Sequence, residues 1–218
     1  MLQTAMTRDT AMTEFLRIYA QLDDLVREIC EARLDDAPDA EAREALARQA
    51  SEERRHVAIQ RAYLQDRGTP YVDRIPPETR RTLVSYFLEL DWPEFVSALQ
   101  ITVEGTGSLV VRQVWERADE ATRRALAIPL EDEERHVRFG MEQVRKALAA
   151  LSPGEQEALK ARIKRRVRET LELARLLPSS LRQCFEAAGL DCGAMNARIL
   201  RETAARWRAL GIELEAAA

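Results

Sequence analysis

Histidine is nearly missing from this chain of 218 residues, which holds only two, and cysteine is almost as sparse at three. The odd cysteine count and the lack of any C-x-x-C spacing argue against a disulfide framework and against a thiolate-held iron–sulfur group. Cys30, Cys184 and Cys192 are therefore expected to act as small buried hydrophobes. Glycine and proline number eight each, aromatic residues make up 6%, and hydrophobic residues 46%. So few breakers beside so much apolar content suits an all-α fold. No apolar run is long enough to span a bilayer, and residues 1–14 lack the basic start and apolar core of a secretion signal, so a cytoplasmic protein is expected. The net charge of -4 gives no whole-chain argument for a nucleic-acid or membrane partner. The length suffices for one domain over 1–218 with a sizeable core.

What the sequence does contain is a repeat built on its two histidines. Glu52-Glu53-Arg54-Arg55-His56 and Asp132-Glu133-Glu134-Arg135-His136 follow one pattern, and each is followed by valine. Residues three apart share a helix face, so Glu53 with His56, and Glu133 with His136, each aim a carboxylate and an imidazole at one point. Two such Glu-x-x-His pairs, with one carboxylate from each of two further helices, form the dinuclear site of carboxylate bundles. Glu104 lies 133 − 104 = 29 residues before Glu133, and the midpoint falls at Ala118-Asp119, where Asp119 reads as an N-cap. Glu104 is thus expected to face Glu133 across a hairpin. Reflecting Glu53 about the acidic break at residues 35–39 lands near residues 22–24. Asp23 flanks the apolar stripe Phe15, Ile18, Tyr19, Leu22, Val26 and Ile29, whereas Asp24 lies nearly opposite it, so Asp23 is the expected ligand. Glu28 and Glu31 sit too near the helix end.

Helical periodicity runs from Asp9 to Leu34 and from Ala40 to Leu64. The stretch from Gln65 to Asp91 carries one glycine and three prolines and reads as a long connection holding a short helix from Glu78 to Leu88. A third long helix is expected from Pro93 to Arg117 and a fourth from Asp119 to Leu151, kinked at Pro129. Two hairpins joined by one crossover make a ferritin-like four-helix bundle over residues 9–151. Residues 152–218 read as a C-terminal extension of further helices packed outside it.

Mixed carboxylate and imidazole ligands without thiolate suit iron, or a manganese and iron pair, better than structural zinc. Two irons per chain are expected, with Glu53 and Glu133 bridging, Asp23 and Glu104 terminal, and one histidine on each metal. Metal-bound imidazole donates its second N–H to a carboxylate. Asp132 and Glu52 are placed to reach the histidine of the opposite helix, with Arg55 and Arg135 anchoring them.

The paired motifs resemble those of the ferritin-like non-heme di-iron oxidases and oxygenases, a group that includes acyl carrier protein desaturases, bacterial multicomponent monooxygenase hydroxylases and the radical-generating ribonucleotide reductase subunit. The resemblance covers residues 9–151. It implies O2 activation at a di-iron centre, a small organic substrate, an electron donor such as a ferredoxin, and a homodimer. An Asp at position 23 is similar to the reductase arrangement, yet Gln60 stands where that enzyme keeps its radical tyrosine. By resemblance to hydroxylases with a threonine near the metals, Thr106 is a candidate catalytic residue, and Thr102 the neighbouring choice. Gly105 and Gly107, unfavourable inside a helix, point to a substrate pocket, a π-bulge or close packing beside Glu104. The alternative function is ferroxidation or peroxide removal without an organic substrate. The basic stretch Lys160, Arg162, Lys164, Arg165, Arg166 and Arg168 circles its helix and reads as a solvated face, with an acidic electron donor as the partner it would suit and no nucleic acid expected.

Overall fold

The computed structural model describes residues 6–214, and among these it is all-helical, with no strand. Helix α1 spans Arg8–Ala32, α2 Ala40–Asp66, α3 Pro77–Leu88 and α4 Trp92–Val96. A π-helical segment, Ser97–Glu104, joins α4 to α5, Gly105–Arg117, as one composite helix. Helices α6 (Glu120–Ala149), α7 (Pro153–Leu173), α8 (Ser180–Ala187) and α9 (Cys192–Arg208) complete the chain. Helix starts are marked by acceptor side chains that satisfy first-turn amides. Asp39 accepts from the Ala42 amide, Asp91 from Glu94 and Asp119 from Thr122, while Ser152 and Glu155 form a reciprocal capping box. The ends differ slightly from the sequence reading. The first helix closes at Ala32 into a 3₁₀ turn at Leu34–Asp36, and α7 likewise gives way to a 3₁₀ turn at Ala174–Leu176.

Side-chain pairs fix the helix directions. Asp9 with Arg67, Asp23 with Gln60 and Glu31 with Arg54 run oppositely along α1 and α2, making them antiparallel. Glu41 with Lys146, Glu52 with His136 and Tyr63 with Thr122 do the same for α2 and α6. Trp92 with Gln143 and Arg112 with Glu134 set the composite helix antiparallel to α6. It follows that α2 and the composite helix are parallel, as the crossing 67–91 permits. Arg33 pins that crossing. Its guanidinium donates to the carbonyls of Leu88 and Leu90 at 3.0 and 2.8 Å and lies 4.6 Å from the centre of the Phe95 ring. Donors at a helix end satisfy carbonyls that have no intrahelical partner.

Apolar side chains gather in two clusters along the length of the helices. Ile29, Leu46, Phe95, Leu99, Val144 and Ile163 belong to one. The other holds Phe15, Leu16, Leu64, Leu109, Leu126 and Phe185. On each long helix the polar candidates lie between the two: Asp23 on α1, Glu53 and His56 on α2, Glu104 on the composite helix, and Glu133 and His136 on α6. The C-terminal residues are continuous with this core. Trp207 is fully buried, and with Leu210 and Ile212 it joins the cluster of Phe95 and Leu99. No helix among the described residues is long and apolar enough to cross a membrane.

Candidate metal centre

Asp23, Glu53, His56, Glu104, Glu133 and His136 are all at most 4% exposed and converge from four helices. Both imidazoles point Nδ1 inward. Nδ1 of His56 is 3.1 Å from Glu53 and 3.9 Å from Asp23, and Nδ1 of His136 is 3.5 Å from Glu53 and 3.8 Å from Glu133. Glu53 thus stands between the two histidines. Asp23, Glu53 and His56 can present ligand atoms within 4.8 Å of one another, and so can Glu53, Glu104 and His136. Asp24, the neighbour of Asp23, instead pairs with Arg27 and Arg80 away from this cluster.

The outward nitrogens are held crosswise. His56 Nε2 lies 2.9 Å from Asp132 of α6, and His136 Nε2 lies 2.9 Å from Glu52 of α2. Arg55 donates to Asp132, while Arg135 donates to Glu52 at 2.8 Å and also to Asp132. The second pair of carboxylates therefore reaches across between helices, and the repeated arginines anchor it. With Nε2–H committed to a carboxylate, each ring turns Nδ1 to the interior, where a cation that displaced the Nδ1 proton would meet the lone pair it requires.

Burial dominates the electrostatics. It pushes the carboxyl groups of Asp23 and Glu104 well above the usual range, reinforced for Asp23 by the charge of Glu53 and for Glu104 by that of Glu133. Burial raises Glu53 as well. It also acts to raise Glu133, but hydrogen bonds with Glu104 and His136 outweigh it and hold Glu133 below its ordinary value. Burial would depress both imidazoles. For His56 the hydrogen bond and charge of Glu53 overcome it and raise the ring to about 9. For His136 the hydrogen bonds of Glu133 and Glu52 raise it to about 10. Two imidazolium charges thus offset part of the buried negative charge.

Residues outside the motifs complete the shell. Gln49, one turn before Glu53, donates to Glu104 Oε1 at 2.8 Å and accepts from Gln100 at 3.2 Å. Gln60 donates to Asp23 at 2.6 Å. The Tyr19 hydroxyl donates to Glu133 at 3.1 Å, and burial followed by the charge of Glu133 raises that phenol well above its ordinary value. Helical spacing puts Gln49 one turn before Glu53, Gln60 one turn beyond His56 and Tyr19 one turn before Asp23, which brings each near the cluster without naming its partner. Thr106 lies about 200° around the helix from Glu104, and its buried hydroxyl has no hydrogen-bond partner. The Thr102 hydroxyl is committed to the Ser97 carbonyl at 2.8 Å. Of the readings for the glycines, the π-helix is present and ends at Glu104. The space beside Gly105 holds Arg206, whose guanidinium donates to the Gly105 carbonyl at 2.6 Å.

The donor set fits a pair of divalent cations. Glu53 Oε1, Glu133 Oε2 and His136 Nδ1 are buried without a hydrogen-bond partner, a costly state for inward-facing polar atoms unless a cation satisfies them. Oxygen and imidazole ligands without sulfur suit iron or manganese. A cavity of about 180 Å³ between α2 and α6 reaches this cluster at His136. No protein-family model and no curated protein matches the chain.

Proposed function

We propose that this protein is an O2-activating non-heme di-iron oxidoreductase, built as a ferritin-like four-helix bundle, that oxidises or oxygenates a small organic substrate. The observation that carries this reading is the convergence of four buried carboxylates and two imidazoles from four helices, with Nε2 of both imidazoles held by carboxylates and three inner atoms, Glu53 Oε1, Glu133 Oε2 and His136 Nδ1, unpartnered. Structural ion pairs are not arranged so, because they satisfy both ends of each carboxylate.

Asp23, Glu53, His56, Glu104, Glu133 and His136 would hold the metals, with Glu53 common to both positions. Bound ferrous ions would supply the electrons that reduce O2. The chain's own residues supply order and a dry interior. Asp132 and Glu52 fix the imidazoles through Nε2, and Gln49 and Gln60 hold Glu104 and Asp23 in orientation. The Tyr19 hydroxyl keeps a proton 3.1 Å from Glu133, ready to pass when that carboxylate changes charge. The apolar clusters above and below exclude water and keep charge–charge terms strong.

Ferroxidation or peroxide removal is the second reading. It is favoured by the cavity that reaches His136, where Glu41, Glu44, Arg48, Glu52 and Arg135 stand on the lining, more charged groups than most organic-substrate pockets carry.

Anaerobic loading with ferrous iron, followed by metal counting per chain, tests the proposal. Two irons per chain are expected, matching the two ligand groups, and the His56→Ala variant should lose one position. Full loading of that variant would refute the ligand assignment. Admitting O2 with candidate substrates then separates the readings by whether an oxidised organic product accumulates.

A further inference from the structure

The cluster is sealed on most sides. Apolar side chains close it at both ends of the bundle, and a partly dehydrated ion crosses such layers only at great cost. Between α2 and α6 the boundary is different. The cavity there has Gln49 and His136 at its inner end, both at most 4% exposed. Gln49 bonds Glu104 directly, and Nδ1 of His136 is buried and unpartnered. Glu52 and Arg135 lie on the wall, joined at 2.8 Å, and exposed Glu41, Glu44 and Arg48 line the mouth. The volume of about 180 Å³ accommodates a few waters at about 30 Å³ each, enough for an ion that retains part of its shell.

Carboxyl groups without a guanidinium or ammonium partner are found at the inner end of this path. At the mouth Glu41 is matched by Lys146 at 2.9 Å, and Arg48 and Glu44 both lie on the lining. On the wall Glu52 is matched by Arg135, whose side chain is 43% exposed and can swing outward. Beyond His136 lie Glu53, Glu133 and Glu104, with no guanidinium among their hydrogen-bond partners. Resting on the di-iron reading above, we propose that the α2–α6 cavity is the route by which hydrated divalent cations enter and leave the centre, with the Arg135–Glu52 ion pair as its movable barrier. The lining suits a small hydrated cation. Phe139 is its one large apolar side chain.

The test is the kinetics of cobalt(II) uptake by the metal-free full-length protein, followed by absorbance, and of its removal by a chelator. Ala45→Phe fills the cavity from α2 without touching a ligand. It should slow uptake and removal together while leaving the final cobalt stoichiometry unchanged, because a blocked path changes rates and not the end state. Glu44→Lys should slow uptake by about tenfold, with a weaker effect at high salt. Wild-type rates in both variants would overturn the route while leaving the metal centre intact. A lowered stoichiometry in a folded Ala45→Phe protein would also overturn it, since the cavity would then be part of the site. Failure of wild type itself to bind cobalt or iron would remove the di-iron reading and this inference together.

Discussion

At the residue scale the two histidines are the informative positions, and each is fixed by an atom contributed from the other hairpin. Asp132 sets the tautomer of His56 from 2.9 Å away. Asp132→Asn keeps the shape but can present an N–H to Nε2, so it should weaken metal affinity by roughly 10- to 100-fold. Competition titration with a chromophoric chelator measures this, and unchanged affinity would show that Asp132 does not orient the ring. The convergence of the six candidate residues was legible because helical spacing alone puts Glu53 with His56 and Glu133 with His136, and because reflection about a break locates Glu104 and Asp23. The partners chosen by the amide and phenol side chains were not. Gln49, Gln60 and Tyr19 find Glu104, Asp23 and Glu133 across helix interfaces, and such pairings depend on interhelical rotation, which no local spacing specifies. Thr106, a candidate by resemblance alone, stands off the Glu104 face.

At the element scale the π segment places Glu104. A π turn carries one extra residue, so side chains before and after it are rotated relative to an unbroken helix. The hydrogen bond from Thr102 to the Ser97 carbonyl spans five residues and belongs to that wider turn. Glycine-rich sequence after Glu104 left this open among three readings. Gly140 on α6 is where the segment is most tightly gripped. A Cβ there would lie 2.7 Å from Gln100 Cβ and 3.0 Å from Ile101 Cγ1. Beside Gly105 the obstruction is the end of the flexible Arg206 side chain. Gly140→Ala should therefore destabilise by about 1–3 kcal/mol in urea unfolding, with the metal site disturbed, whereas Gly105→Ala should cost less because Arg206 can move. Equal effects would mean that the π segment is not held by α6. The C-terminal helices show the same limit of local patterns. Trp207 is amphipathic-face material by spacing, yet which cluster it enters is decided by how α9 crosses α5.

At the scale of the whole molecule, the buried acids make folding and ionisation inseparable. The histidines, at about 9 and about 10 when folded, sit above the unfolded value of about 6.5. Their contribution to stability is fully present below pH 6.5 and is lost as pH rises through 9 and 10. Asp23, Glu53 and Glu104, raised by burial, act in the same direction at lower pH, because ionising them in the interior becomes progressively unfavourable. The metal-free protein should accordingly lose Tm steadily from pH 7 to pH 10. Saturating divalent cation should raise Tm and flatten that dependence, since the ion replaces the protons; a hundredfold excess over Kd adds about 2.7 kcal/mol. Calorimetry across this range with and without chelator decides it, and a flat profile for the metal-free protein would contradict the electrostatic account.

The crosswise bonds at the histidines also carry a symmetry. Exchanging the hairpin of α1 and α2 with that of the composite helix and α6 sends His56 to His136, Asp132 to Glu52 and Arg55 to Arg135, so the outer shell reads the same under an approximate twofold axis between α2 and α6. Each hairpin holds half of the inner ligands together with the outer carboxylate needed by the other. A single hairpin would leave its own histidine without an orienting partner, whereas two copies placed about such an axis would supply each other. The self-complementary unit of this centre is therefore the hairpin pair, and the long crossing through α3 and Arg33 ties together two halves that neither could replace alone.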